Sequence, residues 1–398
     1  MYYWLLFILI ASINFWSFSW LDLKIYQYIH LIVLAYILFV VLKKCRVKIP
    51  DCIHCKEVFL MMVLPLLSVY SCYILHGQSI TSSLIVYRMH LGWLLYFVLW
   101  YKKVTELTIY KVILFIAVGY SLLTIIQQVT YPFAPFGDRT LGTAQALYRG
   151  GEVERRFGFY RYALEGVSYA VISFILLIDQ KMKSKYNCKQ KFLIGILIIG
   201  IIAAGNRQTI AATFISCCYL YFFYSKSKNR ILILLVAITI MFTLYMYSDV
   251  LLGKLGNFSE DLEGGRAHSY LYYWINFVDN WMSFMMGNGV GHESSVYGNT
   301  KEYIGGKVVI LSDIGILGTD FLWGIFYVLC YYTLCLKLFF NKHLDFGYKA
   351  VILSFLLPTW VASPLWEING MLLQALLIYM CDRNIVKNKN IVLTYEKS

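Results

Sequence analysis

The sequence predicts an all-α integral membrane protein with about twelve transmembrane helices and two long external loops that carry short interfacial helices. Three observations predict it. Hydrophobic residues make up 60% of the 398 positions and charged residues 14%, with a mean hydropathy of +0.63, more apolar surface than a soluble domain can bury. Apolar runs near the length that crosses a bilayer, about 20 residues, recur along the chain. Lys clusters in every second loop between these runs, the bias expected of cytoplasmic loops.

Taken in order, the runs fall at 2–18, 25–42, 58–75, 84–100, 111–130 and 164–178, then at 192–204, 209–224, 231–247, 308–336, 348–362 and 365–381. The first has no basic residue ahead of it and no small-residue cleavage site, so it reads as a retained helix. Lys43, Lys44, Arg46, Lys48 and Lys56 follow the second run, and Lys102 and Lys103 the fourth. Lys181, Lys183, Lys185, Lys189 and Lys191 follow the sixth, and Lys226, Lys228 and Arg230 the eighth. Lys337 and Lys342 follow the tenth, and Arg383, Lys387 and Lys389 the twelfth. Every even run therefore ends in the cytoplasm and both termini lie inside. The chain divides into an N-terminal bundle (1–130), a first external loop (131–163), central helices (164–247), a large external loop (248–307), and C-terminal helices with a tail (308–398).

Arginine breaks this pattern. Of 11 Arg, only Arg46, Arg230 and Arg383 share the Lys-rich side. Arg88, Arg139, Arg149, Arg155, Arg156, Arg161, Arg207 and Arg266 lie outside or within a run. Topology does not account for them, whereas bidentate binding of phosphate or carboxylate does. The net charge of +13 does not point to nucleic acid, because the Lys are dispersed through short loops. The ten Cys lie in apolar runs or cytoplasmic loops, as suits external loops without disulfides. Cys52-Ile53-His54-Cys55 is half of a metal or redox motif and reads as incidental.

In the large loop, Tyr270, Trp274, Phe277, Trp281 and Phe284 recur at helical spacing, with Asn276, Asp279 and Asn280 off the stripe. This reads as an interfacial helix on the outer leaflet; a helix packed on the protein and a sugar-stacking platform are the alternatives. Four external patches follow one another. They are Arg155-Arg156-Phe157-Gly158-Phe159-Tyr160-Arg161 with Glu165, then Gly205-Asn206-Arg207-Gln208. Gly264-Gly265-Arg266 with Gly287-Asn288-Gly289-Val290-Gly291-His292 comes next, and Ser312-Asp313-Ile314-Gly315-Ile316-Leu317-Gly318 last.

These patches, in this order and over roughly residues 130–330, resemble the bacterial O-antigen polymerase and O-antigen ligase superfamily. The resemblance implies a metal-independent glycosyltransferase of the bacterial inner membrane with its active site facing the periplasm. It implies an undecaprenyl-pyrophosphate-linked oligosaccharide as partner, and a chain-length regulator and a flippase alongside. The ligases carry a His ahead of the last patch; 303–311 has none, which favours the polymerase.

The residues suit that chemistry on their own terms. Pyrophosphate leaves readily once Arg neutralises it, and losing one such contact costs about 10²–10³ in rate. No metal-ligand pair, P-loop or dinucleotide turn is present, so no cofactor is expected. Arg207 and Arg266 are expected on the pyrophosphate; for Arg207 the alternative is a snorkelling anchor. Arg156 and Arg161 suit donor or acceptor, or else pair with Glu152 and Glu154. Arg88, inside the fourth run, either binds substrate or snorkels outward, and His90 beside it is expected in the core. Glu165, His292 and Asp313 compete for the role of base, and Asp313 is also suited to cap its helix. The expected reaction joins lipid-linked repeat units into O-antigen or capsular polysaccharide. The alternatives are a ligase that transfers polymer to lipid A–core and a flippase for the same lipid.

Overall fold

The computed structural model describes residues 2–13, 23–44, 52–130, 148–149, 152–153, 155–156, 158–160, 166–183, 188–224, 269–270, 273, 280–299, 303–304, 307–308, 314–360, 363, 365 and 367–395. These residues are mostly helical. The helices are α1 (Tyr2–Ser12), α2 (Leu23–Lys44), α3 (Cys55–Val63), α4 (Leu66–His76), α5 (Ile80–Tyr87), α6 (Leu95–Tyr101), α7 (Glu106–Val129), α8 (Val167–Lys183), α9 (Cys188–Ala203) and α10 (Arg207–Tyr224). Beyond them come α11 (Trp281–Met286), α12 (Val296–Asn299), α13 (Gly315–Trp323), α14 (Ile325–Phe339), α15 (Phe346–Leu356) and α16 (Ile368–Tyr395). The ninth expected run, 231–247, lies outside the described residues.

Three helical stretches are long and apolar enough to cross a membrane: Cys55–His76, Ile80–Tyr101 and Glu106–Val129. They coincide with the third, fourth and fifth expected runs. The first is bent at Pro65, which has no N–H for the helical ladder. The second winds as a 3₁₀ helix over Arg88–Leu94 between α5 and α6. The loops are not wholly helical: β1 (Tyr148–Arg149) pairs with β2 (Glu152–Val153), β3 (Arg155–Arg156) with β4 (Phe159–Tyr160), and β5 (Tyr303–Ile304) with β6 (Lys307–Val308), each antiparallel.

Two compact units are built from interleaved stretches. One comprises Met1–Val33, Val104–Leu255 and Asp345–Phe355. Its centre is α7, whose buried residues Ile109, Val112, Ile113, Ile116 and Tyr120 recur at helical spacing. The opposite face is also apolar, with Phe115, Leu122 and Ile126 exposed, as suits a helix bordered by lipid. Gly200 of α9 lies against Ser121 of α7, where any side chain would overlap the serine. At the other end of this unit, the buried Asp179 of α8 accepts hydrogen bonds from Tyr224 at 2.8 Å and Lys183 at 2.8 Å. Lys183 also reaches Asp345 at 3.4 Å.

The second unit comprises Leu34–Lys103, Gly256–Leu344 and Leu356–Ser398. Helix α16 packs on α6 and the 3₁₀ helix, with Gly92 in van der Waals reach of Met371 and Leu372. The buried Asp382 of α16 accepts from the His54 amide at 3.2 Å, from His54 Nδ1 at 2.5 Å and from the Tyr96 hydroxyl. That network pins the start of α3 and gives His54 a structural role. The expected tenth run, 308–336, is not one helix: α13 ends at Trp323, Gly324 turns with φ +81°, and α14 starts anew. His90 is buried among Tyr87, Trp323 and Tyr327.

Candidate functional site

The richest polar corner among the described residues belongs to the second unit. Helix α4 ends at His76, and Gly77 follows in the left-handed conformation that closes many helices (φ +64°). Ser79 then accepts from the Ser82 amide and opens α5.

Residues 280–298 of the large loop dock on it. Asn280 caps α11 by accepting from the amides of Met282 and Ser283. Helix α11 therefore starts there; Trp274 and Phe277 of the aromatic stripe expected over 270–284 lie outside the described residues. Tyr273 is buried and hydrogen-bonded to Asp320 at 2.7 Å, whereas Trp281 is 74% exposed.

After α11 the backbone runs along the end of α13. The Asn288 amide donates to Phe321 O at 2.7 Å and the Gly289 amide to Leu322 O at 2.9 Å. These bonds satisfy carbonyls that a helix C-terminus leaves open. Gly287 and Gly324 face each other, both at φ +81°, and a Cβ on either would overlap the other strand's backbone. Close backbone approach thus explains the Gly-Asn-Gly stretch without a ligand. The Ser71 hydroxyl donates to Gly287 O.

Gln78 is 1% exposed and fastens the loop. Its Oε1 accepts from the His292 amide at 2.8 Å and Ser295 Oγ at 2.7 Å. Its Nε2 donates to Ser83 Oγ at 2.8 Å and Val290 O at 3.1 Å. His76 stacks on Tyr297 with centroids 4.0 Å apart and planes 6° from parallel. His76 Nε2 lies 2.8 Å from Asn288 Oδ1.

Among the expected site residues, His292 is in this corner. It is half-exposed, and its Nδ1 accepts from the Ser294 amide at 3.1 Å and meets Ser294 Oγ at 2.7 Å. Arg88 belongs to the same unit, half-buried at the start of the 3₁₀ helix. Arg207 belongs to the other unit. Gly205 ends α9 at φ +66°, and Asn206 caps α10 by accepting from the Thr209 amide at 3.2 Å. Arg207 is the first residue of α10; it is half-buried, and its buried Nε has no hydrogen-bond partner among the described residues. Neither Arg88 nor Arg207 forms an ion pair among the described residues, whereas Lys183 and Lys337 do.

Arg156 lies on the β3–β4 hairpin opposite Phe159, while Glu152 lies opposite Arg149. Gln128 at the end of α7 clasps this hairpin, accepting from the Tyr160 amide and donating to its carbonyl, both at 2.7 Å. Glu165, Asp313, Arg161 and Arg266 lie outside the described residues. No cluster of His, Cys, Asp and Glu among the described residues could hold a metal. Sequence reasoning missed His76 and Gln78, and took Asn288 only as a member of the Gly-rich patch. The one local signal was a His followed by Gly at the end of an apolar run. No protein-family model matches this chain, and neither a curated protein nor a solved structure does.

Proposed function

We propose that this chain is a polytopic glycosyltransferase of the bacterial inner membrane that polymerises undecaprenyl-pyrophosphate-linked oligosaccharide repeats on the periplasmic face. The observation that carries the proposal is Arg207. A guanidinium with no ion pair among the described residues stands at the N-terminus of an 18-residue helix. Helix N-termini favour anions, and a cation there is electrostatically misplaced until an anion arrives. A lipid pyrophosphate supplies that anion at a membrane surface. Arg88, also without an ion pair among the described residues, fits the same use. In this reading Arg266, Arg156 and Arg161 complete the anion and glycan contacts, and about twelve spans leave both termini in the cytoplasm.

The test is a deletion strain complemented with Arg207→Ala, with surface polysaccharide resolved on a gel. The expected result is the loss of long chains at normal protein level, with single repeats retained on the core. Near-normal chain lengths refute the role of Arg207. An unchanged ladder in the deletion strain refutes the polymerase. Bare core with polymer accumulating on the carrier lipid identifies a ligase instead.

A further inference from the structure

We propose that His76 is the base that takes the proton from the acceptor hydroxyl, and that Asn288 sets its tautomer. This inference rests on the glycosyl-transfer reading above. Its starting point is the Asn288 side chain, which is 4% exposed and bonded on both sides. Asn288 Nδ2 lies 3.2 Å from the carbonyl of Phe321 at the end of α13. A carbonyl can only accept, so the NH₂ group must face it and Oδ1 must face the other way. There Oδ1 accepts from Ser283 Oγ at 3.0 Å and from His76 Nε2 at 2.8 Å. His76 therefore carries a proton on Nε2, and in the neutral ring the lone pair is on Nδ1.

His76 is half-exposed, and Nδ1 has no hydrogen-bond partner among the described residues. The stack on Tyr297 holds the plane of the ring, and Tyr297 is itself tied through its hydroxyl to Gly289 O at 3.3 Å. The result is a fixed imidazole with its basic nitrogen open, on the expected external end of the third run.

The other histidine of the corner has the opposite polarity. An amide N–H can only donate, so the bond from the Ser294 amide makes His292 Nδ1 an acceptor and leaves the proton on Nε2. Neutral His292 thus presents a donor, which suits contact with a sugar oxygen. His76 presents the acceptor that a hydroxyl nucleophile needs. The Gly-Asn-Gly stretch acquires a second purpose, since its packing on α13 aims Asn288. In the step itself, the acceptor oxygen attacks the anomeric carbon and its proton passes to His76 Nδ1. The anomeric C–O bond breaks, and its electron pair leaves with the lipid pyrophosphate.

The experiment uses the full-length protein in nanodiscs with the lipid-linked repeat extracted from a deletion strain, following chain growth across pH. His76→Ala is expected to slow growth by about 10²–10⁴-fold, with added imidazole restoring part of it. Asn288→Asp places a carboxylate on the ring and is expected to move the acidic limb of the pH–rate profile upward by about one unit. A structural role for Asn288 moves the rate without moving that limb. Wild-type growth together with a His76→Ala protein within about threefold of it, or a loss that imidazole never restores and an Asn288→Asp limb that stays in place, overturns the base assignment alone. A wild-type protein that leaves the repeats unjoined overturns the polymerase reading itself.

Discussion

Replacing Gln78 with Leu isolates the fastening of the large loop to α4. The side chain is removed from four hydrogen bonds while a similar volume stays buried. Two of the partners recover. Ser295 Oγ already reaches His292 O at 2.7 Å, and the Ser83 hydroxyl can rotate. The His292 amide and the Val290 carbonyl are stranded, and an unsatisfied backbone group costs about 1–3 kcal/mol when buried. Both residues are half-exposed, so water offsets part of that, and the loss falls at about 2–3 kcal/mol. The effect is local, on the opening of residues 287–298 rather than on the helices beneath. Amide hydrogen exchange followed by mass spectrometry of the detergent-solubilised protein reads that opening directly. The peptide covering 288–298 should exchange about 30- to 150-fold faster in Gln78→Leu, with α7 and α16 unchanged. Equal exchange in the two proteins would show that other contacts hold the loop and that the Gln78 network is incidental.

Two further outcomes follow from the packing. Gly287→Ala forces a Cβ into the backbone of Leu322 and Gly324 at a left-handed φ, so it should lower stability by about 2 kcal/mol or more, read as a lower unfolding temperature. Lys183→Met leaves Asp179 buried without its cation; because the Lys183 side chain is 41% exposed, the loss should be near 1 kcal/mol by thermal unfolding. Burial pulls the Lys183 amine down, but the hydrogen bond and charge of Asp179, aided by Asp345, outweigh it and hold its pKa above the ordinary lysine value. The contribution of the Lys183 charge is then complete below about pH 10 and is lost only as pH rises through the raised value. A wild-type protein that loses this stabilisation between pH 7 and 9 contradicts that sign.

The Gly205-Asn206-Arg207 turn was legible because its chemistry is local. A left-handed Gly ends one helix, an Asn caps the next, and the charge follows at the first helical position. The break at Gly324 was not legible. Apolar residues continue on both sides of it, and the reason for the break is Gly287, which approaches from the large loop. His76 was passed over for the same kind of reason: its partner Asn288 is 212 positions away, and nothing near either residue announces the pairing. The aromatic spacing expected over 270–284 runs through Asn280, whose side chain serves as the cap of α11.

The order of residues alone points to a membrane protein and to three helices long and apolar enough to cross a bilayer. Transfer from water to lipid is close to a sum over residues, so composition and the length of an apolar run suffice to read it. The fold, and not the order of residues, sets which polar groups meet in the corner between α4 and α5, and therefore which nitrogen of His76 has no hydrogen-bond partner among the described residues. A hydrogen bond depends on distance and direction between partners that the chain brings together from far apart, and no sum over residues contains that information.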